Sequence, residues 1–265
     1  MSLSPLAPDK NSLTLGDRVG GFRAPCGDPN RPAGEAADGL GVAAHAANAA
    51  DQTPRAPFAC DWLDRLAREF ADGRLLLLAD ANPVGESCDI VVAGPHASAD
   101  ALNFMNRFGG VLRLAIPQAR ARRLRLPPMV HFQRANAETY TVSIEARHGV
   151  TTGISTHDRA LTVRTALDAT DDQDLVSPGH VFPVVVAEGG VRMRAGAADA
   201  AVHLLSHLGP EGSAVLFKVL DDEGRCLQAG DGDAFAQAHG LLFARLEDLV
   251  GALRAAPSRP REQAA

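Results

Sequence analysis

Between Thr151 and Gly196 the chain reads TTGISTHDRALTVRTALDATDDQDLVSPGHVFPVVVAEGGVRMRAG, and this stretch constrains what the rest can become. It holds two dense polar runs, Thr151–Arg164 and Ser177–Pro183. The first gathers Thr, Gly, Ser, His, Asp and Arg at a strand end or loop. Backbone N–H groups, hydroxyls and a guanidinium together suit a phosphate or a carboxylate. The second sets His180 behind Pro178-Gly179, read as a turn, and ahead of an apolar strand. Pro and Gly fix the backbone there and hold the imidazole in a set place.

The flanks mix helices and strands. Asp61–Phe70 puts Trp62, Leu63, Leu66 and Phe70 on one helical face, with Asp61 as a cap. Leu75–Leu78, Ile90–Ala93, Val111–Ile116, Thr139–Glu145, Val181–Ala187 and Ala214–Leu220 read as strands. Ala99–Phe108 reads as a helix stopped by Gly109-Gly110, and Gln118–Leu124 as a short Arg-rich one. Thr156–Leu167, Ala197–Leu208, Asp233–His239 and Leu246–Leu253 are the other predicted helices. Asp80–Asp89 (DANPVGESCD) reads as a loop broken by Asn82-Pro83 and Gly85, and Asp221–Gly224 as a turn. Alternation is not strict and no internal repeat is present, so the fold class is α+β, or α/β with a mixed sheet. Residues 1–58 are rich in Ala, Gly, Pro and Asp and read as a disordered leader, with at most a short helix at Val42–Ala50. Residues 59–256 are the expected domain and 257–265 a disordered tail.

Composition removes several classes. With 46% hydrophobic residues in 265, a sizeable core is possible. A formal charge of −6 and no basic stripe give no reason to expect nucleic acid. No apolar run reaches the roughly 18–20 residues that span a bilayer. The N-terminus lacks a secretory signal, so a cytoplasmic protein without membrane contact is expected. Cys26, Cys60, Cys88 and Cys226 form no CxxC or CxxxC pair and read as reduced thiols. His203 and His207 have the i, i+4 spacing of two metal ligands, but no third is evident. The two lysines, Lys10 and Lys218, stand among 26 basic residues, which makes Lys218 unusual by position.

The two polar runs, with Arg123–Val130 (RLRLPPMV), Tyr140–Ala146 (YTVSIEA) and Ala236–Val250 (AQAHGLLFARLEDLV), resemble the 3,4-dihydroxy-2-butanone 4-phosphate synthase family in order and spacing. That family's lyase acts on ribulose 5-phosphate in riboflavin biosynthesis. The resemblance covers roughly residues 62–254. It implies that family's compact α+β fold and a homodimer with its pocket near the subunit interface. It also implies an acid-rich loop of pattern DDEDREnEGD, a Mg²⁺-binding Glu in that loop, a second metal ligand in R-x-G-H-T-E, and a later essential Glu.

At those places this chain differs. Asp80 and Asp89 match the ends of the acidic loop, but its Arg position is Val84 and its metal-binding Glu position is Gly85. Glu86 sits one residue late. In R-A-G-A-A-D, Arg194 and Gly196 match, while the His position is Ala197, the Thr position Ala198 and the Glu position Asp199. The later Glu falls at Lys218. Gly and Ala carry no ligand atoms, so no cofactor and no metal are expected.

His180, Lys218, Asp199 and Glu86 are therefore the candidate catalytic residues. Asp89, Thr152, Asp158, Arg159, Thr162 and Arg194, with Thr151, are the candidate contacts to a small anionic metabolite. Each has a plainer reading. Asp158 and Arg159 can brace a helix, His180 can satisfy a turn, Asp89 can cap a loop, and Lys218 can face solvent. The expected function is a repurposed, metal-independent lyase or isomerase on an anionic or carbonyl metabolite, with a role in specialised metabolism. The alternatives are a catalytically dead binding or regulatory homologue, and a genuine synthase with a substitute site at Glu86 and Asp199.

Overall fold

Strand β2 (Ser87–Ala93) is buried at all seven residues. A strand is buried so when it has neighbours along each edge and helices over each face. The computed structural model describes residues 58–82, 85–130, 137–208 and 212–257. In it β2 runs antiparallel to β1 (Leu76–Asp80) on one edge and to β7 (Ala214–Lys218) on the other. Strand β3 (Arg113–Ile116) is antiparallel to β7 and parallel to β6 (Leu175–Val185). Strand β4 (Thr139–Tyr140) and strand β5 (Ile144–Ala146) add antiparallel pairs on β6, and β8 (Leu242–Arg245) lies parallel to β1. The order is β4-β6-β3-β7-β2-β1-β8, with β5 off that path. This is the mixed α/β arrangement expected.

Side chains alternate along each strand, so the sheet feeds two cores. Leu76, Leu78, Val91, Leu216 and Ala244 pack with α1 (Phe58–Ala71), α5 (Ala197–Ser206) and α7 (Leu246–Ala255). Leu77, Ile90, Leu114, Val215 and Phe217 pack with α2 (Ala99–Asn106), α3 (Gln118–Arg123), α4 (Thr156–Asp168) and α6 (Gly232–His239). Leu63, Leu66 and Phe70 of α1 are buried, as its helical spacing requires. Burying side chains of this size contributes about 1.5–3 kcal/mol each. Ser98 and Ser155 cap α2 and α4, accepting from Ala101 N at 3.2 Å and Asp158 N at 3.0 Å.

Several local expectations change. Helix α1 begins at Phe58, so Asp61 lies in its first turn instead of capping it. The loop over 80–89 ends early, because Ser87, Cys88 and Asp89 pair with β1 and belong to β2. Thr139–Glu145 is two strands, not one, broken between Tyr140 and Ile144. Pro178-Gly179 makes no turn. It lies inside β6, whose Ser177–Pro178 peptide is cis. Among the described residues only one side of that segment is paired, by β5, and a Pro is tolerated on such an edge. Strand β8 escapes a reading of periodicity, being four residues that pass straight into α7 with no breaker. The predicted leader, apart from the start of α1, the Val42–Ala50 helix, Val84 and residues 258–265 of the tail lie outside the described residues.

Candidate functional site

Asp89 and Lys218 stand opposite each other on β2 and β7. Residues in register point to the same face of a sheet. Lys218 Nζ donates to Asp89 Oδ2 at 2.7 Å and to Ser87 Oγ at 3.0 Å. The Asp89 side chain is 1% exposed and that of Lys218 36%. Arg113, on β3, donates through Nη2 to the other Asp89 oxygen. Its Nη1 donates to both oxygens of Glu138, at 2.9 and 3.0 Å. Burial works against the Arg113 charge, but the Asp89 and Glu138 carboxylates outweigh it and hold the guanidinium above its ordinary pKa. Two cations and two anions thus alternate, which is how charge is tolerated away from water. Burial first, then Asp89, pushes the neighbouring Cys88 thiol up to about 12. Burial, then Glu138, takes the Tyr140 phenol to about 12 as well.

Arg194 and Asp199 form a second ionic group. Arg194 Nε donates to Asp199 Oδ2 at 2.6 Å and Nη2 to Oδ1 at 3.1 Å. The other guanidinium hydrogens reach the carbonyls of Val185, at 2.8 Å, and Ala137, at 2.8 Å, and the Thr139 hydroxyl, at 3.4 Å. Asp199 is wholly buried in the first turn of α5, and its Oδ1 also accepts from Ala187 N at 2.7 Å. The pair therefore straps the start of α5 to the end of β6. Ala197 and Ala198 sit in the core beside it.

His180 belongs to a third group. Its Nδ1 lies 3.0 Å from Glu145 Oε2, with the imidazole 43% exposed and the carboxylate 13%. The backbone arranges this pair. Gly179 passes so close to the Ile144 carbonyl that a β-carbon would not fit, and its N–H donates to Ser143 Oγ at 3.1 Å. Gly153, at φ +76°, presses on the Glu145 carboxylate in the same way. The loop carrying Gly153 is tied down by Asp158, whose Oδ2 accepts from Thr151 Oγ1 at 2.8 Å and Gly153 N at 3.1 Å. The Thr151 hydroxyl, against burial and together with the N–H groups of Thr151 and Gly153, holds the Asp158 carboxyl below its ordinary pKa.

The remaining candidates fall into place around these. Thr162 Oγ1 donates to the Asp158 carbonyl at 2.9 Å and accepts from Ala146 N at 3.1 Å, joining α4 to β5. Arg159 is buried, donates to Asn106 Oδ1 at 3.1 Å and lies 5.9 Å from the Phe217 ring centre. Thr152 and Glu86 are exposed. The structure thus joins Lys218 to Asp89, Arg194 to Asp199, and Thr151 and Thr162 to Asp158. His180 lies two residues, about 7 Å of strand, from Phe182, the register partner of Arg113. Among the described residues no hydrogen bond or ion pair joins His180 to Lys218. Sequence reasoning passed over Arg113, Glu138 and Glu145. An Arg inside the apolar run Val111–Ile116 was the available signal, because arginine is rarely buried unless paired.

The profile of the family described as 3,4-dihydroxy-2-butanone 4-phosphate synthase matches residues 64–252. This chain belongs to that family. A 3,4-dihydroxy-2-butanone 4-phosphate synthase of Photobacterium phosphoreum is 36% identical over 188 residues, covering 70% of this chain and 52% of that protein. One from Edwardsiella ictaluri is 37% identical over 206 residues, covering 76% of this chain and 93% of that protein. The chain thus spans about half the length of several curated relatives and nearly all of others. A solved two-domain synthase from A. baumannii superposes with a TM-score of 0.66 at 31% identity, over 71% of this chain and 56% of that one. A synthase solved in complex with two magnesium ions gives the same TM-score and identity, over 71% of this chain and 94% of that one.

Holding such an ion takes several oxygen or imidazole ligands brought together by the described residues. None of them form a group of three or more His, Cys, Asp or Glu able to hold a metal. At the two positions the family resemblance marks for metal, Gly85 has no side chain and Ala197 is buried in the core. The nearby carboxylates of Asp89 and Asp199 are bonded to Lys218, Arg113 and Arg194.

Proposed function

We propose that this member of the dihydroxybutanone phosphate synthase family is an acid–base lyase or isomerase acting on a small anionic, carbonyl-bearing metabolite without a metal. His180 is the proton-carrying group, and Glu145 orients it. The observation that carries this is the 3.0 Å contact between His180 Nδ1 and Glu145 Oε2, made by a half-exposed imidazole and a mostly buried carboxylate. A carboxylate on one ring nitrogen fixes the tautomer and leaves Nε2 to take or give a proton at a substrate carbon or hydroxyl. The case against a metal rests on the ion pairs that occupy Asp89 and Asp199. A homodimer with its pocket near the subunit interface belongs to the same reading, by family resemblance.

A second reading is favoured by the comparisons themselves. Every relative and solved structure cited above is called a 3,4-dihydroxy-2-butanone 4-phosphate synthase. On names alone, genuine synthase activity is the better supported of the two. In that case Asp199 and exposed Glu86, with groups on a partner subunit, supply the metal ligands. One assay separates the readings. Purified full-length protein is incubated with ribulose 5-phosphate, with and without Mg²⁺, and formate release is followed. Magnesium-dependent formate at a rate comparable to a relative run alongside establishes the synthase and removes the metal-free reading. No formate under either condition removes the synthase.

A further inference from the structure

Of the four charges in the Asp89 network, Lys218 is the cation that reaches solvent. Arg113 is buried and bonded on two sides, to Asp89 and to Glu138. Lys218 is more than a third exposed. An ammonium carries three N–H donors. Among the described residues Lys218 uses two, on Asp89 Oδ2 and Ser87 Oγ. Those two oxygens face one way because Ser87 and Asp89 are two apart on β2, and Lys218 meets Asp89 in strand register. Arg113 and Glu138 fix the Asp89 carboxylate from behind.

The residue type also fits. Lys218 is the only lysine among the described residues, in a chain whose other cations there are arginines or histidines. A guanidinium is a planar fork suited to paired oxygens, whereas an ammonium is a compact point charge with donors in three directions. A seat of one carboxylate oxygen and one hydroxyl suits the compact head and leaves a donor over.

We propose that Lys218 is a cation built into the chain: its ammonium fills an oxygen seat made by Asp89 and Ser87 and offers its remaining N–H to a phosphate or oxyanion of the substrate. The positive charge that a divalent ion brings to a metal-dependent lyase is then supplied by a side chain. It is smaller, fixed in place and independent of metal supply. This rests on the metal-free reading above and assigns that site its anion-binding group.

Melting of the full chain tests it, with inorganic phosphate and manganese chloride as separate probes. Wild type should melt higher with phosphate and be unmoved by Mn²⁺. Lys218→Arg should keep part of the phosphate effect. Lys218→Gln should bind phosphate at least about tenfold more weakly, a loss of roughly 1.4 kcal/mol. Lys218→Glu sets two carboxylates opposite each other beside Ser87 Oγ, a set of hard oxygen donors, and should gain Mn²⁺ stabilisation. No phosphate effect in wild type or an undiminished effect in Lys218→Gln would each overturn the proposal, and Mn²⁺ stabilisation of wild type would overturn the metal-free reading it rests on. If Lys218→Glu does not fold, the Lys218→Gln comparison decides alone. Formate release with magnesium, combined with phosphate binding lost in Lys218→Gln, would remove the metal-free reading while leaving the anion contact standing.

Discussion

Gly153 lies against the Glu145 carboxylate with no room for a β-carbon between them, and its φ of +76° is one that other residues avoid. The loop and the His180–Glu145 pair are therefore one mechanical unit. Gly153→Ala should cost about 1–3 kcal/mol of backbone strain and displaced contacts. It should also move Glu145 away from His180. Urea unfolding checks the first, and a changed His180 ring resonance in the NMR spectrum the second. An unmoved resonance would separate the loop from the dyad.

Removing the Asp89 carboxylate strands two cations at once. Asp89→Ala leaves buried Arg113 with Glu138 alone and Lys218 with a hydroxyl. Breaking a buried pair from one side costs about 3–5 kcal/mol. Lys218→Met, at a more exposed position, should cost about 1 kcal/mol or less. Denaturant midpoints at constant slope measure the difference. Equal losses would mean that Arg113 does not depend on Asp89.

Asp199 and Arg194 act as a strap, so a change that keeps shape and removes charge should still be felt. Asp199→Asn weakens the paired bonds from Arg194 and that from Ala187 N. Bonds to a charged partner contribute about 1.5–3 kcal/mol. Hydrogen exchange should quicken at the start of α5 and the end of β6 before it quickens elsewhere.

Acid sensitivity should follow Asp158. Its carboxyl is held low in the folded chain by Thr151 Oγ1, against burial and with the N–H groups of the loop. In the unfolded chain it returns to about 3.9. The stability it contributes is complete above that value and disappears as the pH falls through the lower folded value. Wild type and Asp158→Asn should therefore differ most near neutrality and converge below about pH 4. Melting curves from pH 7 down to 3 show whether the gap closes.

Much of this was readable from the residues. The spacing of Leu63, Leu66 and Phe70 announced the buried face of α1, and the motifs around His180 announced the family. Partnerships across strands were not readable. Arg113 and Glu138 are 25 residues apart and meet only because β3 and β4 flank the same strand, β6. Glu145 reaches His180 through a register shift in the β5–β6 pairing, which no local pattern encodes. Asp89 read as loop because Pro83 and Gly85 precede it, while pairing with β1 and β7 makes it strand. Arg194 and Asp199 were legible as two separate candidates in one motif, and their mutual bonding depends on how α5 docks.

Phe217 and Lys218 are adjacent on β7 and face opposite ways, one into the core under α4 and the other into the ion network. The same alternation separates Ile90 from Asp89 on β2 and Leu114 from Arg113 on β3. Each of these strands carries two independent alphabets, one spelling the packing and one spelling the chemistry. A lineage can rewrite the second while leaving the first untouched. Such a scaffold keeps its outline however its chemistry is spelled, so likeness of outline speaks of ancestry and leaves occupation to the bench.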